Sequence, residues 1–145
     1  MKITIGRSDR ASFPELSLSD IDVKIDSGAY TSSIHCSTIN EITVNDVTLI
    51  QFNLLDPKHP FYNNTAFTFK NYTSKIIKSS NGISEMRFMI RTEIYIFNKT
   101  FPIYLTLSKR TDMKFPILLG RKFLNKKFVI DTACKNLSHK LKNRK

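Results

Sequence analysis

Residues 23–29 read Val23-Lys24-Ile25-Asp26-Ser27-Gly28-Ala29. Their alternating apolar residues predict a β-strand that ends at a carboxylate, which a hydroxyl residue and a glycine then follow. This order suits a carboxylate whose oxygens are held by nearby donors, because a glycine lets another backbone or a substrate approach closely. Taken alone, however, Asp-Ser-Gly is a common tripeptide that is more typical of a turn than of a catalytic site.

A second stretch, residues 116–121, reads Pro116-Ile117-Leu118-Leu119-Gly120-Arg121. Its run of large apolar residues ends at a glycine and an arginine, just before a short helix predicted over residues 121–125. The two stretches occur in this order within one small β-rich chain. Their combination favours a catalytic interpretation of Asp26 over a simple turn.

The rest of the chain alternates apolar and polar residues far more often than it repeats them at helical spacing. Two pairs of turn residues, Asn45-Asp46 and Asn81-Gly82, predict tight hairpins. We therefore predict a mainly β, mostly antiparallel fold that closes or stacks its sheet to hide the edges. The predicted strands are 43–52 (around its turn), 65–69, 75–78, 83–97, 101–107 and Phe128–Ile130.

The length of 145 residues predicts one domain. The 23 Lys and Arg residues against 12 Asp and Glu residues give a net charge of +11. Such a charge favours polyanionic partners, although the accompanying abundance of Asn and Ile also fits drift in an AT-rich genome. We find no membrane-length apolar run and no secretory signal, so we expect a cytoplasmic protein without a membrane partner. Cys36 and Cys134 are expected to be buried free thiols.

The sequence contains no phosphate-binding loop, no dinucleotide-binding glycine motif and no Cys-x-x-Cys pair. Its three histidines, His35, His59 and His139, lack the spacing of zinc ligands. We therefore predict neither a metal ion nor a cofactor. His35 is expected to support the site from behind rather than to act as a base.

Residues 25–29 resemble the catalytic loop of retropepsin-like aspartic proteases, and residues 117–121 resemble the apolar-apolar-glycine segment beneath that loop. The resemblance is closer to a bacterial branch described as ATP-dependent zinc proteases and associated with RimK-type glutamate ligases. It covers roughly residues 4–133, although Tyr30 stands where this branch usually has a basic residue. The matching blocks are 13–16, 24–35, 77–82 with Glu85, Arg87 and Phe88, and 105–107 with Arg110, Met113 and 115–121.

This resemblance implies a closed antiparallel β-barrel of the acid-protease type, with one short C-terminal helix. The barrel is predicted to comprise residues 1–133, followed by a solvated basic tail over residues 134–145. Aspartic proteolysis needs two carboxylates that share one proton around a water molecule. Because the chain has one Asp-Ser-Gly, we expect a homodimer that contributes Asp26 twice. Asp131 lacks a following glycine and is interpreted as structural, with Arg121 as its candidate partner.

Three groups of site residues follow from the resemblance. The catalytic group is Asp26, Ser27 and Gly28. The substrate-binding or flap group is Ala29, Ser79, Ser80, Asn81 and Gly82. The group that supports the site is Thr31, Ser32, Leu119, Gly120 and Arg121.

The expected substrate is an acidic peptide or a glutamate-tailed protein. The net charge favours such a substrate, as does the association of the branch with glutamate ligases. A different hypothesis is a basic β-barrel that binds RNA or single-stranded DNA, stacking bases on aromatic rings interleaved with lysines. A third is an inactive scaffold with the protease fold. The residues of the nucleic-acid hypothesis are Tyr62, Phe67, Phe69 and Tyr72, with Lys70 and Lys75.

Overall fold

The computed structural model describes residues 2–78, 82–109 and 114–142. The protein is mainly β, as predicted, with a short 3₁₀ helix at Pro14–Leu16 and two short α-helices among these residues. The strands are β1 (Ile3–Ile5), β2 (Ser8–Phe13), β3 (Leu18–Ile25), β4 (Ser32–Val44), β5 (Val47–Leu54), β6 (Ala66–Phe69), β7 (Tyr72–Lys78), β8 (Ser84–Ile96), β9 (Lys99–Ser108), β10 (Ile117–Leu119) and β11 (Phe128–Ile130). The α-helices are α1 (Arg121–Leu124) and α2 (Leu137–Lys142).

The β4–β5 hairpin shows how local sequence sets a turn. Asn45 and Asp46 have φ angles of 50° and 64°. A two-residue hairpin of this kind needs left-handed backbone at both positions, and Asn and Asp tolerate it. Val44 then pairs directly with Val47, so the predicted turn is confirmed.

Within the described residues, nine strands form one sheet and two form another. The order in the large sheet is β10-β3-β2-β8-β9-β4-β5-β6, with β7 on β8, while β1 pairs with β11. Most neighbours are antiparallel, but β10–β3, β4–β9 and β1–β11 are parallel, which departs from the antiparallel barrel that the resemblance implies. The departure at β10 arises because this late strand lies between β3 and β4 and pairs with both. Closure of the sheet into a barrel stays a prediction.

An aromatic cluster ties α1 and β11 to the large sheet. The rings of Phe97, Phe101, Phe123 and Phe128 have centroids 5.7 to 6.1 Å apart. Pairs at this distance add to the burial of apolar area. The cluster therefore holds α1 and β11 against β9, next to the end of β10.

The two cysteines are free thiols, as predicted, but only Cys36 is buried, while Cys134 is half-buried.

Residues 137–142 form a helix rather than the solvated tail that the sequence predicts. Helix α2 begins there, and the buried carboxylate of Asp9 accepts hydrogen bonds from the backbone N–H groups of Ser138 (2.9 Å) and His139 (3.1 Å). The Ser138 hydroxyl in turn accepts one from Phe97 N at 2.7 Å. This second helix was missed because the carboxylate at its start lies 129 positions earlier in the chain. A domain boundary at residue 133 stays a prediction.

Candidate active site

The Asp26 loop, residues 26–31, begins where β3 ends. Asp26 N donates a hydrogen bond to Leu119 O of β10 at 2.9 Å, which ties the loop to the inserted strand. One carboxylate oxygen, Oδ1, accepts a hydrogen bond from Gly28 N at 3.0 Å. Within the described chain the other oxygen, Oδ2, accepts none. The side chain is partly exposed, so the carboxylate is oriented by its own loop and open on one side.

Gly120 lies directly under this loop. Its N–H donates to Ser32 Oγ at 3.0 Å. A Cβ atom at this position would lie 2.7 Å from both Tyr30 O and Thr31 O, closer than real Cβ atoms approach oxygen. The glycine is therefore required by space, since its backbone is extended.

Arg121 connects α1 to the opposite side of the loop. Its backbone N–H donates to Ala29 O at 2.8 Å, and its Nη1 donates to Ser27 O at 2.9 Å. The guanidinium carbon also lies 5.7 Å from the centre of the Tyr30 ring. The side chain thus contacts the Asp26 loop rather than Asp131, whose carboxylate caps the backbone of Ala133.

A cleft of about 920 Å³, the Asp26 cleft, separates the Asp26 loop from the β7–β8 hairpin. Lys75 of β7 places its ammonium 5.3 Å from the centre of the Tyr30 ring, so the hairpin and the loop meet at this ring. The Arg87 side chain is 12% exposed and its Nε lies 3.5 Å from Glu85 Oε1. The cleft is lined by Asp26, Gly28, Ala29, Tyr30, Thr31, Ser33, Lys75, Ile76, Ile77, Lys78, Ile83, Glu85, Arg87 and Leu118.

Three of the predicted flap residues, Ser79, Ser80 and Asn81, lie outside the described residues. Gly82 has a φ angle of 86°, and a Cβ atom there would meet nothing within 4 Å. The strands on either side pair as far as Lys78 and Ser84. The two strands therefore pair as a hairpin, while the tight Asn81-Gly82 turn and the role as a flap stay predictions.

The site residues that the sequence analysis did not assign include several basic ones. Lys75 was considered only for the nucleic-acid hypothesis, and Arg87 only as part of the resemblance. Lys75 of β7 pairs directly with Arg87 of β8, and this pairing places both side chains on the cleft.

A second cavity of about 540 Å³ also reaches Asp26. Its lining residues are Arg7, Ser8, Lys24, Asp26, Lys114, Phe115 and Leu118.

His35 is buried on β4 and lines neither of these two cavities. Burial lowers the pKa of its imidazole, although nearby Asp56 opposes the effect. A neutral ring away from the cleft does not reach a substrate.

The described residues also bring no three His, Cys, Asp or Glu side chains together as a metal site. They therefore do not fit the zinc that the name of the resembling branch implies.

Three aromatic residues of the nucleic-acid hypothesis have partners within the protein. Phe67 and Phe69 pack against Phe52, with ring centroids 6.0 and 5.6 Å away. Tyr72 donates its hydroxyl hydrogen to Glu41 Oε2 at 2.6 Å, and this hydrogen bond raises the pKa of the phenol. These rings therefore pack against the β4–β8 region, and the nucleic-acid hypothesis stays an untested alternative.

The sequence model of the RimB-like family, described as the retropepsin-like aspartic endopeptidase RimB, matches residues 4–140. The chain belongs to the RimB-like family. Among the residues that the structure describes, no helix combines the length and the apolar character needed to cross a bilayer.

Curated relatives of this RimB-like chain are longer proteins. A probable alpha-L-glutamate ligase of Desulfotalea psychrophila is 37% identical over 136 residues, which are 91% of this chain and 28% of the relative. Another from Shewanella pealeana is 33% identical over 91% of this chain and 29% of its own length. A solved structure from Legionella pneumophila, of unknown function, superposes with a TM-score of 0.67 at 19% identity. That match covers 95% of this chain and 99% of the other, and it supports the fold alone.

Proposed function

We propose that this RimB-like chain is an aspartic peptidase in which two copies each contribute Asp26. The observation that carries the proposal is the geometry of this carboxylate. One oxygen is held by Gly28 N at 3.0 Å, and the side chain opens into a cleft of about 920 Å³. Such a site has room for a peptide and keeps one carboxylate oxygen for a water molecule.

The mechanism needs a second carboxylate. Two carboxyl groups in contact cannot both ionise, so one is a base while the other carries the shared proton. The pair titrates as a unit. Among the described residues that line the cleft, Glu85 is the other acidic side chain, and Arg87 lies beside it. The economical source of the second carboxyl is therefore Asp26 of another copy.

The proposed steps balance protons between the two Asp26 groups. The ionised Asp26 takes a proton from water as the oxygen attacks the peptide carbonyl, and the protonated Asp26 hydrogen-bonds to the carbonyl oxygen. The oxyanion of the tetrahedral intermediate then re-forms the carbonyl as the C–N bond breaks, and the Asp26 that took the proton from water passes it to the leaving amine. Ser27 is proposed to hydrogen-bond across the pair, while the β7–β8 hairpin covers the cleft and excludes bulk water.

The charges around Asp26 favour an acidic substrate, for which glutamate-rich peptides or glutamate tails are the leading candidates. Basic side chains line both cavities that reach Asp26 and outnumber the carboxylates there. They would concentrate an acidic chain and speed its association. Each exposed pair adds only about 0.2 to 1 kcal/mol, so several must act together. These basic residues are Arg7, Lys24, Lys75, Lys78, Arg87 and Lys114.

The decisive experiment compares Asp26→Asn with Asp46→Asn, which makes the same chemical change at an exposed hairpin turn. Cleavage of a glutamate-rich peptide should vanish in the first variant and persist in the second, with or without chelator. Cleavage that stops with chelator and returns with zinc would replace the two-carboxylate mechanism by metal-activated water. Absence of cleavage in every protein, across acidic and neutral peptides, would favour the inactive scaffold.

Two further measurements test the partner and the substrate class. Mixing Asp26→Asn protein with wild type should lower activity beyond dilution, because mixed dimers hold one Asp26. A strict monomer by light scattering contradicts the proposal.

Raising salt from roughly 0.05 to 0.5 M should raise the KM for the acidic peptide and leave the KM for a matched neutral peptide unchanged. Equal cleavage of both peptides would remove the argument from charge.

A further inference from the structure

A third cavity, the Arg91 pocket, lies apart from the Asp26 carboxylate. It has a volume of about 310 Å³ and is lined by residues of β8, of β9 and of the segment from α1 to Lys127, together with Thr31 and Ser32. This is the lower end of the size range of ligand sites, about 300 to 1,000 Å³. Arg91, Lys122 and Lys127 line it, and no carboxylate side chain does.

These three cations have no carboxylate partner in the described part of the chain. Lys122 Nζ instead lies 4.5 Å from the centre of the Tyr104 ring. Lys127 Nζ donates to Phe123 O at 2.7 Å and lies 4.8 Å from the centre of that ring. Aromatic faces and one carbonyl compensate such charges only in part.

The desolvation of Lys127 supports a role in binding an anion. Burial lowers the pKa of its ammonium group, which means that the charged form has lost part of its hydration. A negative group placed in the pocket would stabilise the charged form again. Arg91 and Lys122 line the same pocket and would add their charges to this attraction.

We propose that the Arg91 pocket binds carboxylate side chains of an acidic peptide, in a segment that lies outside the Asp26 cleft. Thr31 lines both the pocket and the cleft, so the two sites adjoin along the Asp26 loop. The inference extends the proposed function, since the same acidic chain would occupy both sites. Binding in the pocket does not itself require hydrolysis.

The form of the pocket favours several carboxylates over one phosphate. Its cations belong to β8, to α1 and to the residues after α1, around apolar side chains that include Ile103 and Phe123. Glutamate side chains, each with one carboxylate on a short methylene chain, match this arrangement. Compact phosphate sites use converging backbone N–H groups and bidentate arginines instead.

The test uses a double variant of the pocket, Arg91→Gln with Lys122→Gln, made in the Asp26→Asn protein so that no peptide is cut. Its control is Lys58→Gln with Lys99→Gln in the same background. The control removes the same charge from exposed positions that line none of the three cavities. Matched thermal denaturation curves establish that both doubles are folded. If the peptidase proposal fails, this binding measurement is unaffected.

Calorimetry then measures the affinity of each protein for two glutamate peptides. One has about two residues and the other about eight, which spans up to roughly 27 Å when extended. The pocket double should bind the longer peptide about threefold to tenfold more weakly than the parent. The control double should change this affinity less than about twofold, and the shorter peptide should bind alike to both doubles.

Two results would overturn the proposal. Equal weakening in the pocket and control doubles would mean that the acidic peptide senses diffuse charge and not this pocket. Tighter binding of inorganic pyrophosphate than of the longer peptide, lost in the pocket double, would make the pocket a phosphate site.

Discussion

The Asp26 loop and the β7–β8 hairpin face each other across one cleft and are held in opposite ways. The loop donates a hydrogen bond from Asp26 N to Leu119 O of β10, and its carbonyls at Ala29 and Tyr30 accept from the first two N–H groups of α1. The hairpin instead projects from the sheet, because β8 pairs with β9 only from Met89 onward in the described residues. Its Ile76 and Met86, which pair directly, are 63% and 50% exposed. A catalytic carboxylate needs a constant orientation, whereas a cover must let substrate enter, and the contacts are distributed accordingly.

The same substitution in both regions should give the largest difference. In Gly120→Ala the new Cβ would lie 2.7 Å from two backbone oxygens of the loop. Overpacking against backbone should lower the free energy of unfolding by about 3 kcal/mol. Gly82→Ala meets open space at a φ of 86°, and only that backbone strain should cost about 1 kcal/mol. Urea denaturation measures both, and equal losses would contradict the difference between the two regions.

Removing one hydroxyl group from each region should give a smaller difference in the free energy of unfolding. Ser32→Ala deprives the buried Gly120 N–H of its acceptor. An unsatisfied buried donor costs about 1 to 3 kcal/mol. Ser74→Ala on the exposed face of the hairpin is the control and should change stability by less than about 0.5 kcal/mol. A Ser32→Ala protein as stable as this control would show that the loop does not depend on the hydroxyl.

The contact between the two regions is the next test. In Tyr30→Leu the Lys75 ammonium loses the aromatic face that lies 5.3 Å away. An exposed interaction of this type is worth about 0.5 to 1 kcal/mol. Amide hydrogen exchange in β7 should therefore become about twofold to fivefold faster. Tyr30→Phe keeps the ring and should exchange like wild type, so equal acceleration in both variants would exclude a role for the aromatic face.

The pH dependence of stability should give the smallest effect. The reason is that the nearby charge of Asp56 raises the pKa of His35 and so partly offsets the lowering that burial causes. Burial lowers the pKa of this imidazole in the folded protein, while the unfolded chain takes up the proton near its ordinary value of about 6.5. Stability should therefore be full above about pH 6.5 and fall as the pH drops toward the folded pKa. In His35→Gln, urea midpoints should lose this part of the slope. An unchanged slope would assign it to other groups.

Features that depend on neighbours in sequence were predicted well. The alternation of residues 83–97 predicted β8, and Asn45-Asp46 predicted the β4–β5 turn. The two stretches around Asp26 and Gly120 predicted a loop resting on an apolar strand, and the structure brings them together through the hydrogen bond from Asp26 N to Leu119 O. Their catalytic role stays a prediction.

Features that depend on distant parts of the chain were missed. Helix α2 starts on Asp9, and Lys75 meets Tyr30 across a cleft whose two walls come from separate elements. The parallel pairs of β10 and β4 join strands far apart in the chain. None of these contacts leaves a periodic pattern in the residues that make it.

The sequence by itself determined the mainly β character, the tight turns, the family and the candidate carboxylate, because side-chain alternation, turn propensity and short motifs are local properties. Only the tertiary structure decided which strand lies under the Asp26 loop, which basic residues surround its cleft, and that Arg91, Lys122 and Lys127 line one pocket. Those features come from pairing between distant strands, and such pairing depends on how whole elements pack rather than on the residues beside each group in the chain.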